Sequence, residues 1–402
     1  MAYPVISQSD RILMKPEMLK ILMVIKKFNR DHPGGGTERS GYRLARALSG
    51  KGAAIEIAGA RMRRQWKGRE LAGDREKPIP VQRLFHPRIR FLGTLIYNIL
   101  LFIKLIAGRH KYTCAHIHFA SFEMMTGVIA RYLGGPPVIC KIACSGESGE
   151  LSKAKKRYFS PLFFFLLRRV DAAVALSDRI RNELLEAGLK NQKIHIIPNG
   201  IDTSVYRPPE PETRIEKREI LGLDGYDDVL VFTGRLTRQK GLDVLLRSLG
   251  RIENRNYILV IAGQGEMQPH LRALAEELGI TGKIRFCGPV KDVLSLYQAG
   301  DIFVLPSRDE GLSNSLLEAM SAGMRVVATG ISGSSEVIED GKSGILIPPG
   351  DEQALAAALR EAFSKDSSMG RRARERIISD YSIGRIAGEY ISLYSGVMKN
   401  SQ

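Results

Sequence analysis

The chain has 402 residues, of which 44% are hydrophobic and 26% charged, and it contains 4 cysteines. At roughly 150 residues per domain, this length predicts two domains rather than one. The ordinary apolar content excludes a wholly disordered chain, and the low cysteine count excludes a small scaffold held by disulfides. We therefore expect a two-domain globular protein.

The positive charge is confined to the first half of the chain. The formal net charge is +17, but residues 1–200 carry +20 and residues 201–402 carry −3. Such asymmetry favours a first domain that faces a polyanion, either nucleic acid or the anionic headgroups of a membrane. A general enrichment in lysine and arginine would raise the charge of both halves alike.

The cysteines and the start of the chain both favour the cytoplasm. The cysteines lie in apolar runs without a C-x-x-C pair, which predicts buried free thiols in a reducing compartment. The first residues lack the charged and apolar pattern of a secretory signal. The cysteines are Cys114, Cys140, Cys144 and Cys287.

Residues 91–108 are a candidate for contact with a membrane. They reach about the minimum length for crossing a bilayer, but Asn98 and Lys104 interrupt the apolar run. Strongly basic flanks favour a helix lying in the membrane interface over a spanning one, and a helix buried in the first domain is an equal alternative. A second apolar stretch, 158–167, follows the basic run 153–157 and favours surface binding. The cations expected to meet headgroups are Arg83, Arg88 and Arg90.

Short apolar runs alternate with helical patterns along the chain, which predicts strands buried in parallel sheets. Two doubly wound units in series place a ligand crevice at the carboxyl ends of their strands. Residues 198–211, rich in proline, form the expected linker. The predicted strands are 21–25, 53–58, 115–119, 137–142, 172–176 and 194–197, then 229–233, 257–262, 283–286, 302–305, 325–328 and 344–347. The main predicted helices are 39–48, 122–132 and 179–189, then 242–252, 267–278, 312–322 and 352–363.

A glycine-rich turn follows the first predicted strand, and Gly35 and Gly36 stand at the start of a helix. Glycines there let main-chain amides approach a phosphate or a sugar oxygen without interference from a Cβ atom. The spacing fits neither the dinucleotide fingerprint nor the Walker sequence. The turn alone therefore does not identify a ligand.

The second half carries a stronger arrangement of charged residues. Arg235 follows Gly234 at the end of a predicted strand, and Lys240 precedes the next helix, so both cations can hold a diphosphate. Glu310 precedes a later helix and is placed to meet a sugar, while Glu318, inside that helix, can accept hydrogen bonds from ribose hydroxyls. Solvated surface cations and surface glutamates are the plain alternative.

The start of that later helix offers further contacts. Ser313, Asn314 and Ser315 supply polar side chains and free helix-terminal amides that suit a phosphate. An ordinary helix N-cap would give the same sequence. The position of the segment at the expected crevice favours the phosphate.

Four motifs in order resemble glycosyltransferase family four. They are GRL…KG at 234–241, the E-x7-E element from Glu310 to Glu318, IPNGID at 197–202 and EVIEDGKSGILIPPGD at 336–351. The family comprises retaining, nucleotide-sugar-dependent enzymes of the GT-B fold. The resemblance implies an α/β architecture of two doubly wound, Rossmann-like parallel-sheet domains with a cleft between them.

The same resemblance implies how the chain is divided. Residues 1–200 would form the acceptor-side domain and residues 201–370 the nucleotide-sugar-binding domain. Residues 371–402 would form helices that cross back to the first domain, with an independent helical tail as the alternative.

Roles for individual residues also follow from the resemblance. His118, at the carboxyl end of its strand, matches the family's active-site histidine, whereas His116 is expected to be packed. The other catalytic residues would be Arg235, Lys240 and Glu310. The donor would contact Gly35, Gly36, Gly234, Val290, Asn314, Ser315, Leu316 and Glu318.

One segment departs from the commonest family pattern. Many relatives carry a histidine-glycine pair after the strand that follows His118, whereas this chain has Lys141 and then Cys144, Ser145, Gly146 and Glu147. Ser145 and Glu147 are therefore the candidates for contact with the acceptor.

We expect a retaining hexosyltransferase that moves a hexose from a nucleotide-sugar to a glycan or lipid-linked acceptor, in polysaccharide or glycolipid synthesis. The expected location is the cytoplasmic face of the plasma membrane, with the anionic surface as a partner of the first domain. No D-x-D sequence occurs, so neither a metal nor another cofactor is expected. A sugar-nucleotide epimerase or hydrolase of the same fold is the alternative. A nucleic-acid-binding protein is less favoured, because aromatic residues are not interleaved with the cations.

Overall fold

The computed structural model describes residues 18–28, 35–61, 69–72, 78–146, 149–364 and 366–399, and for Arg90 only the backbone. Within these residues the chain forms two α/β units, each built on a twisted sheet with helices on both faces. The sheets have eight and six strands in the described part. Their buried strands are continuous apolar runs, because helices cover both faces of a parallel sheet.

The first sheet has the order β3-β4-β2-β1-β5-β6-β7-β8. All neighbouring strands are parallel except β3 and β4, which are antiparallel. The strands are β1 (Lys20–Val24), β2 (Ala54–Arg61), β3 (Arg69–Ala72), β4 (Ile79–Phe85), β5 (Cys114–His118), β6 (Val138–Ile142), β7 (Ala172–Ala175) and β8 (Ile194–Ile196). The helices are α1 (Gly36–Gly50), α2 (Arg90–Ala107), α3 (Phe122–Tyr132), α4 (Glu150–Lys155), α5 (Ser160–Leu167) and α6 (Asp178–Glu186).

The second sheet is parallel throughout and has the order β11-β10-β9-β12-β13-β14. Its strands are β9 (Asp228–Thr233), β10 (Tyr257–Ala262), β11 (Ile284–Gly288), β12 (Ile302–Leu305), β13 (Arg325–Thr329) and β14 (Ile345–Ile347). The helices around it are α7 (Pro211–Ile220), α8 (Leu242–Leu249), α9 (Gln268–Glu277), α10 (Val293–Ala299), α11 (Asn314–Ser321), α12 (Ser332–Val337) and α13 (Glu352–Ser364).

Strands β3 and β4 are absent from the sequence-based prediction. β4 contains Pro80 and alternates buried with exposed residues, and β3 is a four-residue edge strand. Neither presents the continuous apolar run that identifies the central strands, and proline is tolerated near the edge of a sheet.

The chain crosses between the two units twice, and the crossings are hydrogen-bonded to each other. α14 (Ser368–Tyr381) packs on α11, and α15 (Ile383–Lys399) packs on α1 and β5 of the first unit. In the first crossing, the Ile201 amide donates to the Tyr381 carbonyl at 2.8 Å, and the Ile383 amide donates back to the Ile201 carbonyl at 2.8 Å. These two hydrogen-bonded crossings form the natural hinge between the two units.

The prediction that all cysteines are buried is wrong for Cys287. Cys114 and Cys140 are buried in the first sheet, Cys144 is half-buried, and Cys287 is exposed near the end of edge strand β11. An edge strand has one side open to solvent, so its apolar run does not imply burial. All four thiols are free.

Helix α2 combines both interpretations of residues 91–108. Tyr97, Leu101 and Leu105 are buried against the sheet, whereas apolar side chains on the opposite side of the helix are exposed, Phe91 by 82%. Lys104 turns inward, where its Nζ lies 2.5 Å from Glu56 Oε1. In the part of the chain that the structure describes, α2 and the other helices are too short or too polar to cross a membrane.

Candidate active site

The carboxyl ends of the two sheets face each other across a closed cleft. Asn314 Nδ2 donates to the Gly36 carbonyl at 2.7 Å, which joins the N-terminus of α11 to the glycine-rich turn. A Cβ atom built on Gly36 would lie 3.1 Å from the same nitrogen, so a side chain here would crowd the contact. Gly36 and Asn314, predicted donor residues from the two halves of the chain, therefore lie together.

Lys240 and Glu310, which are far apart in the sequence, form an ion pair in the cleft. Lys240 Nζ contacts Glu310 Oε2, and both side chains are largely shielded from solvent. The pair fixes both groups, and a diphosphate entering the cleft would compete with Glu310 for the ammonium. Charge that develops on a leaving phosphate would then be stabilised by Lys240.

Gly241 sets the position of Lys240. It has φ +64°, and a Cβ atom there would lie 2.0 Å from the Pro306 carbonyl oxygen. The close approach joins the turn that carries Lys240 to the segment after β12. Only glycine combines this backbone conformation with such an approach.

Arg235 lies next to Gly234, immediately after β9, and is exposed. Among the described residues it forms no ion pair, so its guanidinium is available to an anion. A Cβ atom built on Gly234 would lie 3.7 Å from Lys240 Cε, which places the two predicted cations along one rim.

The N-terminus of α11 begins two residues later than predicted, at Asn314. The side chain of Ser313 does not cap the helix, and its Oγ lies 3.0 Å from Ser315 Oγ instead. Leu316 is fully buried, so only its backbone can reach a ligand. Val290 is half-buried in the loop after β11.

Glu318 is buried and engaged by both domains. Arg43 Nη2, from α1, lies 2.8 Å from Glu318 Oε1, and the Tyr297 hydroxyl donates to Oε2 at 3.2 Å. Burial raises the pKa of Tyr297 well above its ordinary value, and the neighbouring Glu318 carboxylate raises it further. The Tyr297 phenol therefore stays protonated and can donate. Sequence reasoning missed Arg43 and Tyr297, because both stand in ordinary amphipathic helices.

His118 and His116 lie on the same face of β5, stacked with ring centroids 4.3 Å apart. His116 is packed, as predicted, and its Nδ1 lies 2.8 Å from the Tyr394 hydroxyl of α15. His118 is 3% exposed and lies under Gly41 of α1, and neither ring nitrogen has a hydrogen-bond partner among the described residues. Burial lowers the pKa of both histidines well below the ordinary value, so both rings are neutral.

At the departure from the family pattern, the first sheet carries a buried lysine, Lys141 of β6. Lys141 Nζ donates to Asn199 Oδ1 at 2.9 Å and lies 5.8 Å from the centroid of the Tyr390 ring. Burial lowers the pKa of Lys141 to about 7. The sequence identified Lys141 as unusual but gave no sign that its partner lies in the linker.

The predicted acceptor-side residue Ser145 lies on the loop after β6, which contacts the second domain. Ser145 is buried, and its Oγ has no hydrogen-bond partner in the described ranges. Its neighbour Gly146 has φ +68°, and a Cβ atom there would lie 2.5 Å from Asp309 Oδ2 across the cleft. Glu147 lies outside the described residues.

Two family profiles match the chain in order. The profile described as Glycosyltransferase Family 4 matches residues 34–205, and that described as Glycosyl transferases group 1 matches residues 227–365. Together they span most of both units.

Curated relatives with similar sequences are also named as glycosyltransferases. An uncharacterized glycosyltransferase of Methanocaldococcus jannaschii is 28% identical over 73% of this chain and 78% of its own length. The putative glycosyltransferase EpsD of Bacillus subtilis is 31% identical over 60% of this chain. The matched region covers 64% of EpsD, slightly less than two thirds. An Escherichia coli α-1,3-galactosyltransferase, which acts on GlcNAc-diphosphoundecaprenol, is 25% identical over 78% of this chain and 85% of its own.

Solved structures share the fold. Anabaena HepE in complex with UDP-glucose superposes with a TM-score of 0.77 at 20% identity, over 94% of this chain and 100% of that one. The lipopolysaccharide glycosyltransferase WaaG superposes with a TM-score of 0.73 at 18% identity, again over 94% and 100%. These similarities confirm the predicted GT-B architecture. Because glycosyltransferase profiles match both halves in sequence order, the chain is a glycosyltransferase of the GT-B fold, and its first half matches the profile of family four.

Proposed function

We propose that the protein is a retaining, metal-independent hexosyltransferase that uses a nucleotide-sugar donor and a glycan or lipid-linked acceptor at a membrane surface. The observation that carries the donor assignment is the meeting of three groups in one cleft. They are the Lys240–Glu310 pair, the Asn314–Gly36 contact and the buried Glu318 carboxylate. Structures of HepE with UDP and with UDP-glucose support a nucleotide-sugar for this chain.

In this proposal the second domain holds the donor. Arg235 and Lys240 bind the diphosphate, the backbone amides at the start of α11 bind phosphate oxygens, and Glu318 accepts hydrogen bonds from the ribose. Val290 lies along the nucleobase, and Glu310 contacts the hexose. Cations and helix amides then take the place of a divalent metal.

The proposed reaction proceeds on one face of the sugar. The bond from the anomeric carbon to the donor phosphate breaks, the acceptor oxygen bonds to the same carbon, and the leaving phosphate takes the acceptor proton. His118 lies near the donor sugar on the first-domain side, and Ser145 and Glu147 are the proposed contacts with the acceptor. Neutral His118 suits this role, because it adds no positive charge beside the reacting carbon.

A contiguous apolar face on the first domain supports the membrane assignment. Helices α2, α3 and α5 pack side by side on one side of the first sheet. We call their exposed apolar side chains the apolar face: Phe91, Leu92, Leu95, Ile99 and Ile103 of α2, Phe122, Ile129 and Tyr132 of α3, and Leu162 and Phe165 of α5. Large exposed apolar surfaces mark interaction sites, and helices with an apolar outer side suit a bilayer interface.

Exposed cations border this face. Lys153 and Lys155 lie in α4, and Lys156 and Arg157 lie between α4 and α5. Arg157 Cζ is 5.7 Å from the centroid of the Phe122 ring. A lipid-linked acceptor would reach the cleft from the same membrane. The Escherichia coli relative, whose name specifies a diphosphoundecaprenol acceptor, supports that choice.

The expectation that Arg83 meets headgroups is wrong. Arg83 is buried, where it donates to the Phe28 carbonyl and lies 3.4 Å from Glu70 Oε2. The side chain points into the domain rather than toward solvent, so it cannot contact a membrane. Arg88 is exposed.

The enzymatic proposal is tested by nucleotide release from a panel of sugar nucleotides, with and without membrane-extracted acceptors. We expect release that depends on the acceptor, and a product whose anomeric configuration by NMR matches the donor. No turnover with any pair, or an inverted product, would refute the proposal. Equal release without an acceptor would instead favour the hydrolase or epimerase.

The membrane proposal is tested by cosedimentation with vesicles that contain anionic lipid. The triple variant Phe91→Ser, Ile99→Ser and Ile103→Ser should bind at least fivefold more weakly, because it removes three of the five exposed apolar side chains of α2 and spares the buried side. The control is Ile220→Ser, at an equally apolar side chain that is 74% exposed on the second domain. Unchanged cosedimentation of the triple variant would contradict the proposal.

A further inference from the structure

Glu318 is fixed by partners from both domains. Tyr297, which holds Oε2, is itself held by Thr233 of β9 through a 2.6 Å contact between their hydroxyl oxygens. Arg43, which holds Oε1, comes from α1 of the first domain. With these two contacts made, the carboxylate still has lone pairs for ribose hydroxyls, because an ionised carboxylate accepts about four hydrogen bonds.

Arg43 joins three segments that can move relative to one another. Besides Glu318, its guanidinium donates through Nη1 to the Gly200 carbonyl at 3.2 Å, and its Cζ lies 5.4 Å from the centroid of the Tyr206 ring. Gly200 and Tyr206 belong to the segment that connects the two units. The side chain of Arg43 thus spans the first domain, the hinge and the donor-side helix α11.

This ion pair depends on domain closure. The Arg43 side chain is only 14% exposed and the Glu318 side chain 4%, so each charge relies on the other for compensation. A movement of the domains apart about the hinge would separate α1 from α11 and break the contact. Glu318 then keeps only Tyr297 and gains solvent, and its carboxylate is free to turn.

We propose that Arg43 is a positioning residue that orients Glu318 for the donor ribose when the domains are closed. The first domain then strengthens nucleotide binding without touching the nucleotide. This inference rests on the proposed role of Glu318 in donor binding. It predicts a thermodynamic coupling between two residues whose domains meet only in the closed form.

The test measures nucleotide binding by calorimetry, first with UDP, GDP and ADP on the wild type to select the probe. Arg43→Met should weaken binding of that nucleoside diphosphate at least tenfold, and Arg43→Lys should restore part of the loss, because lysine reaches one partner but not both. The donor KM should rise by a similar factor, while kcat at saturating donor changes by less than about threefold. Arg46→Met, one turn farther along α1 and exposed, is the matched control.

A double-mutant cycle separates positioning from general damage. Glu318→Gln with Arg43→Met removes both charges, so it leaves no buried charge unpaired, and it should bind no more weakly than Glu318→Gln alone. Wild-type affinity in Arg43→Met, or the same loss from Arg43→Met in both backgrounds, would overturn the inference while leaving the proposed function intact. Failure of the wild type to bind any of the three nucleotides would refute the proposed function, and the inference with it.

Discussion

Replacement of the buried lysine, Lys141→Met, should stabilise the protein in a pH-dependent way. Lys141 is 2% exposed, and within the described residues its ammonium donates a hydrogen bond to Asn199 alone. The titratable groups that face it are His116 and His118 on β5, Tyr390 on α15 and Glu150 on α4. No carboxylate forms an ion pair with it among the described residues, so burial dominates.

The magnitude follows from the pKa of the lysine. Burial lowers it from 10.5 to about 7, although the Glu150 charge opposes this change. At about 1.4 kcal/mol for each unit of pKa, the folded state disfavours the ammonium by about 5 kcal/mol. Below pH 7 this cost is present in full. Between pH 7 and 10.5 the unfolded chain binds more protons than the folded one, so the stability of the wild type rises with pH.

Methionine has a similar length and no charge. The variant should lose about 1–3 kcal/mol of stability because Asn199 Oδ1 is left without its donor. At low pH it should gain more than it loses, because it no longer buries an ammonium group. We therefore expect the variant to be more stable than the wild type at pH 6.5, with that advantage smaller by about 2–3 kcal/mol at pH 9. Glu150, whose pKa burial raises to about 7, remains in both proteins, so its own effect of stability falling from pH 4.5 to 7 largely cancels.

Urea titrations followed by far-ultraviolet circular dichroism at both pH values measure the difference. Lys51→Met, at an exposed lysine of the same domain, is the control, and it should change stability equally at both pH values. Equal stability differences at pH 6.5 and 9 for Lys141→Met would refute the reasoning, because a buried titrating lysine must make them unequal.

Three further predictions concern the cleft. Arg235→Ala and Glu310→Gln should each lower kcat at least tenfold, the size of a lost transition-state contact, and wild-type rates in folded variants would contradict their assignment. Gly241→Ala should destabilise the second domain by about 2 kcal/mol or more and lower activity, because φ at Gly241 is +64° and Pro306 blocks the added Cβ. The control variant Gly225→Ala should change neither stability nor activity, because the space around Gly225 is open. Exhaustive EDTA treatment should leave the transfer rate unchanged, and a loss restored by a divalent cation would exclude the metal-independent mechanism.

The central strands and the helices were predictable because each leaves a local signal. Continuous apolar runs identified the strands that both layers of helices bury, and 3.6-residue spacing identified α1, α3 and α13. The two terminal helices, α14 and α15, meet at Ser382, within the segment 371–402 that was expected to be helical. Strand β4, which lies next to edge strand β3, was missed because Pro80, Gln82 and Arg83 interrupt its apolar run.

The motifs predicted individual residues of the site but not how those residues pair. Lys240 and Glu310 were assigned separately, and their direct pairing depends on the loop geometry fixed by Gly241. The Arg43–Glu318 pair joins residues that are 275 positions apart, and no spacing rule connects them. The orientation of His118 was equally hidden, since an alternating strand pattern tells which residues share a face but not which helix covers it.

The charge of the first domain is a poorer guide to its partner than the apolar face. Arg83, Lys104 and Lys141 all point inward, and Arg43 is paired with Glu318, so part of the +20 never faces solvent. In the proposed membrane contact, the attraction would then come mainly from the exposed cations of residues 153–157 together with the apolar side chains beside them.

These two contributions respond differently to salt. Raising the salt to about 0.5 M shortens the screening length to about 4 Å and should weaken the attraction of exposed cations, whereas burial of apolar side chains is retained or strengthened. We therefore expect vesicle binding of the wild type to fall by less than tenfold at that salt concentration. The triple variant of α2, which keeps a smaller apolar face and so depends more on the cations, should lose a larger fraction of its binding at this salt concentration than the wild type does. Complete release of the wild type by salt would mean that charge alone attaches the domain, and that the apolar face has a different partner.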